Sequence, residues 1–153
     1  MCLYTRFLFQ LFALWLFVIQ VSGQPLCRVR HFTSADGLSA MSLSAIEQSA
    51  DQLIWLGTWN GLCCYDGYGF TAFSSNPGSK HFLSSRRMAM LAPNSRNDVW
   101  CITYDRSLYL FDTHTCRFHD VQSRLPHARK PLKVRKVFAL ANGTTWVIGD
   151  DGA

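Results

Sequence analysis

The chain has 153 residues, of which 48% are apolar, 14% aromatic and 16% charged, and its formal charge is +5. An apolar fraction this high argues against a disordered chain and favours a globular protein with a wide aromatic core. The positive charge is mild and spread along the chain, so charge alone does not indicate a nucleic-acid-binding protein.

Residues 1–23 have the pattern of a secretory signal peptide. Arg6 supplies the positive charge, residues 7–21 form an apolar run, and Val21-Ser22-Gly23 is a small-residue cleavage site. The run is shorter than the ~20 residues that a helix needs to cross a bilayer, so an uncleaved anchor is the less favoured alternative. We therefore expect an exported mature chain of residues 24–153.

Five of the six cysteines remain in that mature chain: Cys27, Cys63, Cys64, Cys101 and Cys116. An odd number leaves at least one thiol free or paired with another molecule. The cysteines have no zinc-site spacing, and we interpret them mainly as small buried apolar residues, with one unassigned disulfide left open.

Short strands joined by turns are predicted along the rest of the chain. Residues 27–33 resemble the outer strand of a blade whose other strands do not precede it. The predicted strands of the next blade, residues 42–74, are 42–48, 53–58, 62–65 and 70–74, with hairpin turns at Asn60-Gly61 and Asp66-Gly67. A second blade, residues 87–121, is predicted as strands 87–92, 98–103, 107–111 and 116–121. A partial blade, residues 134–153, is predicted as strands 134–141 and 144–149.

A dense basic run at residues 129–136 leads into the partial blade. One interpretation is a patch that binds an anionic polymer. A solvated loop entering a strand is favoured, because no aromatic residue interleaves the run and the export signal separates the chain from cellular DNA.

The three sets of strands repeat one pattern. Trp55, Trp100 and Trp146 lie 45 and 46 residues apart, and the residues around them align without gaps. The aligned columns include Leu43, Met88 and Val134; Ile46, Leu91 and Val137; Gln52, Asn97 and Gly143; and Asn60, Asp105 and Asp151. Apolar and turn positions that repeat together at this period are typical of propeller blades, and this favours blades over three unrelated core tryptophans.

We therefore predict an all-β fold of β-propeller blades, each a four-stranded antiparallel sheet. The chain encodes about two and a half blades, whereas propellers close their ring with about four to eight. An incomplete propeller leaves apolar flanks and strand edges exposed. The expectation is that residues 24–153 are the N-terminal part of a β-propeller domain in a longer protein, or a truncated product.

The first blade resembles the two-component regulator propeller repeat. The resemblance rests on Asp36-Gly37-Leu38-Ser39, Ile54-Trp55-Leu56-Gly57-Thr58, Asn60-Gly61-Leu62 and Tyr65-Asp66-Gly67, and it extends over residues 27–153. The structural positions of the repeat are Trp55, Gly57, Thr58, Gly61, Tyr65, Asp66, Gly67, Trp100 and Trp146. The chain departs from the repeat at Gln52, where the family has glycine, and at Arg106-Ser107-Leu108, where it has glycine and leucine.

The resemblance implies a role in signal transduction. Such propellers form the periplasmic sensor region of hybrid two-component histidine kinases that are anchored in the inner membrane, and many members sense oligosaccharides. The implied partners are an oligosaccharide ligand, the remaining blades and the kinase of the parent protein, and a second copy in a homodimer. No cofactor is implied, and this segment is not expected to bind nucleic acid or to be an enzyme.

The candidate ligand-binding residues are Trp59, Asn60, Tyr104 and Asp105, which follow the second strand of their blades. Propellers generally bind ligands through loops on one face of the ring, and exposed aromatic rings suit stacking on sugars. The alternative, packing of Trp59 and Tyr104 against the neighbouring blade, is favoured at this stage.

No catalytic or metal-binding residue is predicted. The sequence contains no nucleophile elbow, P-loop, HExxH or GxGxxG motif. His114 and His119 are either a metal-binding pair or ordinary surface histidines, and the second is favoured. Most aspartates, such as Asp66 and Asp112, fall in turns, where they are expected to cap their own backbone.

Three functions remain open from the sequence. The leading one is a ligand-sensing fragment of a two-component sensor. The second is an exported propeller enzyme, such as a lyase or glycosidase, which the lack of a histidine and acidic cluster at loop positions weakens. The third is a non-functional remnant of a longer gene.

Overall fold

The computed structural model describes Tyr4 and residues 28–74, 83–124 and 132–150. Apart from Tyr4, the predicted signal peptide lies outside the described residues, as do the predicted turn at residues 76–78 and the end of the partial blade at residues 151–153. The chain divides into two units, residues 1–31 and 32–153, and the strands all belong to the second unit. Within the described residues, no helix has the length and apolar character needed to cross a membrane.

Two four-stranded antiparallel sheets form where the sequence predicts them. Blade 1 consists of β1 (Leu43–Gln48), β2 (Ile54–Thr58), β3 (Gly61–Tyr65) and β4 (Phe70–Phe73), paired in that order. Blade 2 consists of β5 (Met88–Pro93), β6 (Val99–Thr103), β7 (Leu108–Asp112) and β8 (Arg117–Asp120), also paired in order. The predicted all-β propeller-blade fold is confirmed, and each of these strands lies within one residue of its predicted bounds.

Blade 3 contributes two antiparallel strands to the described residues, β9 (Val134–Ala139) and β10 (Thr145–Gly149). Strand β9 ends before the predicted residue 141. The reason is local: the N–H of Leu140 donates to the carbonyl of Thr144, and the N–H of Gly143 donates to the carbonyl of Leu140, so these residues already belong to the turn.

Described residues 28–33 belong to no strand, and Cys27 lies outside the described residues. The predicted outer strand at residues 27–33 belongs to a blade whose other strands do not precede it, so it stays a prediction. A strand exists only when its backbone pairs with a neighbour, and an extended sequence pattern does not supply that neighbour. A single-turn 3-10 helix (Ser34–Asp36) follows. It begins with a capping box, in which the Thr33 hydroxyl accepts the N–H of Ala35 and the Asp36 carboxylate accepts the N–H of Thr33.

Consecutive blades pack face to face, and the repeated tryptophan lies at each junction. Trp55 of blade 1 is 2% exposed and packs in a core with Met88, Leu91 and Val99 of blade 2. Trp100 of blade 2 packs in the same way against a core that contains Val134 and Val137 of blade 3. The sequence columns therefore describe an interface that repeats, with the tryptophan of one blade set against the first strand of the next.

The two outer flanks of this stack are exposed. On blade 3, Trp146 is 63% exposed, and Phe138 and Ile148 beside it are also exposed. On blade 1, Leu43, Ile46, Ile54 and Leu56 line an apolar groove of about 380 Å³. Ile46 is 61% exposed, whereas its repeat equivalents Leu91 and Val137 are each 1% exposed. The exposed apolar flanks expected of an incomplete propeller are present.

The repeat also fixes unusual backbone positions. Gln52, Asn97 and Gly143 occupy one column and all have positive φ, at 69°, 66° and 85°. Glycine and asparagine tolerate this left-handed conformation, whereas a glutamine is strained in it. The column was visible in the sequence as a turn position, but its handedness was not.

The predicted hairpin at Asn60-Gly61 forms with a different geometry from the one expected. Gly61 pairs with Thr58, so the two residues of the loop are Trp59 and Asn60, and neither has positive φ. Gly61 alone is left-handed, with φ at 101°. The turn is therefore not the type I′ turn that an Asn-Gly pair predicts, because that turn needs positive φ at both central residues.

Candidate functional site

The predicted residues Trp59 and Tyr104 are linked through the side chain of Arg87, which lies near both rings. The guanidinium carbon of Arg87 is 4.2 Å from the centre of the Trp59 ring and 6.0 Å from that of Tyr104. Both distances fall within the range of cation–π attraction. We call these three residues the aromatic stack.

The backbone positions the aromatic stack at the same edge of blades 1 and 2. Trp59 follows β2 and its N–H donates to the carbonyl of Ser42, while Tyr104 follows β6 and its N–H donates to the carbonyl of Arg87 at 2.8 Å. Asp150 occupies the equivalent position after β10, and its N–H donates to the carbonyl of Lys133. Successive blades therefore present a tryptophan, a tyrosine and an aspartate at corresponding points.

Both rings of the stack face solvent. Trp59 is 52% exposed and Tyr104 is 71% exposed. These exposures are larger than expected for the alternative favoured from the sequence, in which both rings pack against the neighbouring blade. Trp59 does contact blade 2, but through the charged Arg87 and not through an apolar core.

The other two predicted ligand residues use their polar groups in hydrogen bonds within the protein. The Asn60 side chain donates to the carbonyl of Ser39 at 3.4 Å, and its backbone N–H donates to the buried Thr58 hydroxyl. The Asp105 carboxylate accepts from the Thr103 hydroxyl at 2.5 Å. Burial acts to raise the pKa of Asp105, but hydrogen bonds, led by that of the Ser84 hydroxyl, outweigh it and lower the pKa.

A pocket of about 530 Å³ lies beside Tyr104 at the junction of blades 2 and 3. Met90, Ile102 and Val134 contribute its apolar lining, and Arg106, Arg135 and Lys136 are the charged residues that line it. Arg106 forms an ion pair with Asp150 of blade 3. Residues 134–136 of the basic run begin strand β9, in agreement with the favoured interpretation, but their place in the lining of this pocket was not predicted. Residues 129–131 of the run lie outside the described residues.

Sequence reasoning also missed Arg87 and Arg106. Arg87 follows Arg86 directly before a strand, and Arg106 was noted only as a departure from the repeat, so neither residue was recognised as part of a site. The signal that would have found Arg87 is its repeat position, because one residue comes immediately before the first strand of each blade: Ser42, Arg87 and Lys133. The carbonyl of each of these residues accepts the N–H of the turn residue after the second strand, which is Trp59, Tyr104 or Asp150. Arg106 lies 45 residues after Gly61 and is its repeat equivalent in the sequence. The β6–β7 turn is one residue longer than the β2–β3 turn, so Arg106 belongs to the turn, whereas Gly61 begins strand β3.

The aspartates in the outer turns bind their own backbone. Asp66 accepts the N–H groups of Tyr68 and Gly69, at 2.9 and 2.8 Å, and these bonds lower its pKa. Asp112 accepts the N–H groups of His114 and Thr115, which lower its pKa in the same way, with the Thr115 contact the larger. The Tyr65 hydroxyl donates to the carbonyl of Gly67 in the first of these turns.

No three histidine, cysteine, aspartate or glutamate residues lie close enough to hold a metal ion within the ranges 28–74, 83–124 and 132–150. His119 lies 3.9 Å from the Asp112 carboxylate. The Cys63, Cys64 and Cys101 thiols are free and buried, and Cys116 is free and exposed. Burial raises the pKa of Cys64 to about 11 and raises that of Cys101 further.

The comparisons with known proteins find a curated relative and solved structures of similar fold. No family model matches the chain. Over 55 residues, 36% of this chain and 4% of the relative, the sequence is 38% identical to Histidine kinase P4 of Formosa agariphila. The structure is similar to the extracellular domain of the hybrid two-component system BT3049 from B. thetaiotaomicron, with a TM-score of 0.60 and 18% identity over 78% of this chain and 17% of that one.

A second structure, the extracellular domain of the hybrid two-component system BT4673 from the same organism, matches with a TM-score of 0.51 and 17% identity. It covers 71% of this chain and 15% of that one. The chain is related in fold to the extracellular domains of hybrid two-component systems. The resemblance carried by the sequence is therefore confirmed, and the chain spans only a small part of each of these proteins.

Proposed function

We propose that this chain is a ligand-sensing part of the periplasmic propeller of a two-component sensor, and that it signals by binding and not by catalysis. The fold shared with two extracellular domains and the identity to a histidine kinase support this role. We infer an exported, periplasmic location, which the extracellular domains of similar fold and the signal-peptide pattern of residues 1–23 support. The kinase of the parent protein is the partner that would receive the signal.

The observation that carries the ligand proposal is the aromatic stack. Two exposed rings, Trp59 and Tyr104, flank one cation on an accessible edge of two adjacent blades. The apolar faces of sugar rings pack on aromatic planes, and arginine donates hydrogen bonds to sugar hydroxyls. The stack therefore suits an oligosaccharide long enough to reach both rings.

Titration of the full chain with a panel of neutral and acidic oligosaccharides tests this proposal. We expect a change in tryptophan fluorescence on binding, and each of Trp59→Ala and Tyr104→Ala should weaken binding about 2- to 10-fold, the range for a lost aromatic stacking contact. Tyr68→Ala is the matched control, because Tyr68 is 96% exposed in the outer β3–β4 turn. Binding that survives both site variants, or that is lost with Tyr68→Ala, would place the ligand elsewhere.

A genetic test addresses the parent protein. Reading the source DNA beyond codon 153 should reveal further repeats with the spacing of Trp55 and Trp100, then an apolar span and kinase motifs. Repeats that lead directly to a stop codon would favour a secreted module over a sensor. An immediate stop would favour a remnant.

A further inference from the structure

The pocket beside Tyr104, between blades 2 and 3, gathers positive charge from both blades. Arg106 comes from the β6–β7 turn of blade 2, and Arg135 and Lys136 come from β9 of blade 3. We propose that this pocket binds the carboxylate or sulfate group of an acidic oligosaccharide whose sugar ring stacks on Tyr104. This inference rests on the proposed function, in which the aromatic stack binds an oligosaccharide, and it specifies the chemical class of that ligand.

The pocket lies between two blades and not at either end of the blade stack. Its walls come from β5 and β6 of blade 2 and from β9 of blade 3. Further blades of the parent protein would add to the ends of the stack, whereas this space is bounded by strands on both of its sides already. Its volume of about 530 Å³ falls within the range of ligand sites, which is roughly 300–1,000 Å³.

The positive charge is specific to this junction and is not required by the repeat. The junction between blades 1 and 2 has uncharged residues at the three positions that carry the cations. The repeat equivalents of Arg106, Arg135 and Lys136 there are Gly61, Ala89 and Met90. Residues that hold blades together repeat from one junction to the next, so a set of cations found at one junction alone points to a role other than packing.

The first junction is also closed by direct contact between its blades. Ser44 of β1 donates to the carbonyl of Met88 in blade 2 at 2.6 Å. A Cβ added at Gly57 would lie 3.1 Å from that of Met88, so no side chain fits there. At the second junction the equivalents of Ser44 and Gly57 are Ala89 and Ile102, and both line the pocket. Because Ile102 has a side chain where Gly57 has none, blade 3 cannot approach blade 2 as closely at this point.

A β-bulge in β9 accounts for two adjacent cations in the lining. Val134 pairs with Gly149 and Lys136 pairs with Ile148, so Arg135 is the extra residue of the bulge. Adjacent residues of a regular strand point to opposite faces, whereas a bulge changes the direction of a side chain. The bulge therefore allows Arg135 and Lys136 to line the same pocket.

The pocket has an excess of positive charge. Its cations are Arg106, Arg135 and Lys136, and Arg106 forms an ion pair with Asp150. In the part of the chain that the structure describes, Arg135 and Lys136 form no ion pair, so three cations against one carboxylate leave a net charge of +2. A concave surface lined by one sign of charge attracts ions of the opposite sign. The pair with Asp150 also shows that Arg106 can hold a carboxylate at this position.

Tyr104 connects the pocket to the aromatic stack. Its side chain lines the pocket, and its ring centre lies 6.0 Å from the guanidinium carbon of Arg87. Asp105 follows Tyr104 in the chain, but its carboxylate accepts the Thr103 hydroxyl and is engaged within its own turn. A sugar ring stacked on Tyr104 would therefore have the cations of the pocket beside it, within reach of a charged substituent.

The test compares oligosaccharides that differ only in charge, by isothermal titration calorimetry of the full chain. Oligogalacturonates and their methyl esters form a carboxylate pair, and sulfated galactan oligomers and their desulfated forms make a sulfate pair. In at least one pair, the acidic member should bind about 10-fold more tightly than its neutral counterpart at low salt. That preference should shrink as sodium chloride is raised to about 0.5 M, because salt screens accessible charges.

Two variants test whether the pocket supplies the preference. Arg106→Gln and Arg135→Gln should each weaken binding of the acidic member about 10-fold, the size expected for one hydrogen bond to a charged group, and leave the neutral member within about 2-fold. Arg117→Gln, on the outer strand β8 of blade 2, is exposed and serves as the matched control. Arg135→Gln keeps the ion pair of Arg106 with Asp150, so its result does not depend on the loss of that contact.

The possible outcomes separate this inference from the proposed function. Equal affinity for both members of each pair, reduced by Trp59→Ala, would overturn the acidic ligand and leave the oligosaccharide function in place. A preference for the acidic member that both glutamine variants retain would also overturn it, because the anionic group would then lie elsewhere. Binding of inorganic sulfate without binding of any acidic oligosaccharide would show a site for free anions instead, and no binding of any oligosaccharide would refute both proposals.

Discussion

Replacing Trp55 by alanine tests whether blade packing gives the repeated tryptophan its importance. Trp55 is 2% exposed, lies 5.6 Å from the Phe111 ring and 6.0 Å from the Phe73 ring, and donates its indole N–H to the Ser49 hydroxyl at 3.0 Å. Truncation of a buried tryptophan costs about 3–5 kcal/mol, and the buried Ser49 hydroxyl would lose a donor as well. We expect a loss near the top of that range.

Trp146→Ala is the matched control at the same repeat position. Its side chain is 63% exposed, so its truncation should change the free energy of unfolding by no more than about 0.5 kcal/mol in dilute solution. Urea unfolding followed by far-ultraviolet circular dichroism gives both values, provided that the slope of the free energy with denaturant is unchanged. Equal losses of unfolding free energy in the two variants would refute the reasoning, because the burial of the tryptophan would then not determine the cost of its truncation.

Trp100 separates the contribution of the indole N–H from that of the ring. In the described part of the chain, the Trp100 N–H is buried and makes no hydrogen bond, whereas that of Trp55 bonds to Ser49. Trp55→Phe should therefore destabilise the protein by about 1–2 kcal/mol more than Trp100→Phe, since only the first loses a hydrogen bond. The same unfolding measurement decides, and equal losses would show that the N–H groups are equivalent.

Three further predictions concern the backbone and the thiols. Gln52→Gly should stabilise the protein by about 0.5–1 kcal/mol because φ at Gln52 is 69°, while Asn97→Gly at the same repeat position should be nearly neutral, both measured by urea unfolding. Gly61→Ala should cost at least about 2 kcal/mol more than Gly67→Ala, since an added Cβ would lie 2.5 Å from the Phe73 carbonyl oxygen at the first and meets nothing within 4 Å at the second. Cys116→Ser should remove one fast-reacting thiol from an assay of the native chain at pH 8, because Cys116 is exposed; an unchanged count would show that the side chain is protected.

The sequence could predict the strands of blades 1 and 2 because each strand is bounded by turn residues and repeated 45 residues later. The outer strand predicted at residues 27–33 stays a prediction, since a strand depends on a partner that the local pattern does not reveal. It indicated the turn at Gly61 but not its geometry, which depends on the register that pairs Thr58 with Gly61. Repetition therefore predicts which residues are equivalent, and pairing decides the conformation that they adopt.

The candidate site was also predictable only in part from the sequence. Trp59 and Tyr104 were found as equivalent positions, but the contact that unites them is made by Arg87, which belongs to a different column and a different position in the repeat. Aligning the repeats shows which residues of two blades are equivalent, but it does not show which non-equivalent residues are in contact. The blade stack adds that information, because it sets the turn after β2 beside the residue that precedes β5. The proposed ligand site therefore lies at the junction of two blades, where residues that vary between repeats meet, while the residues that repeat hold the blades together.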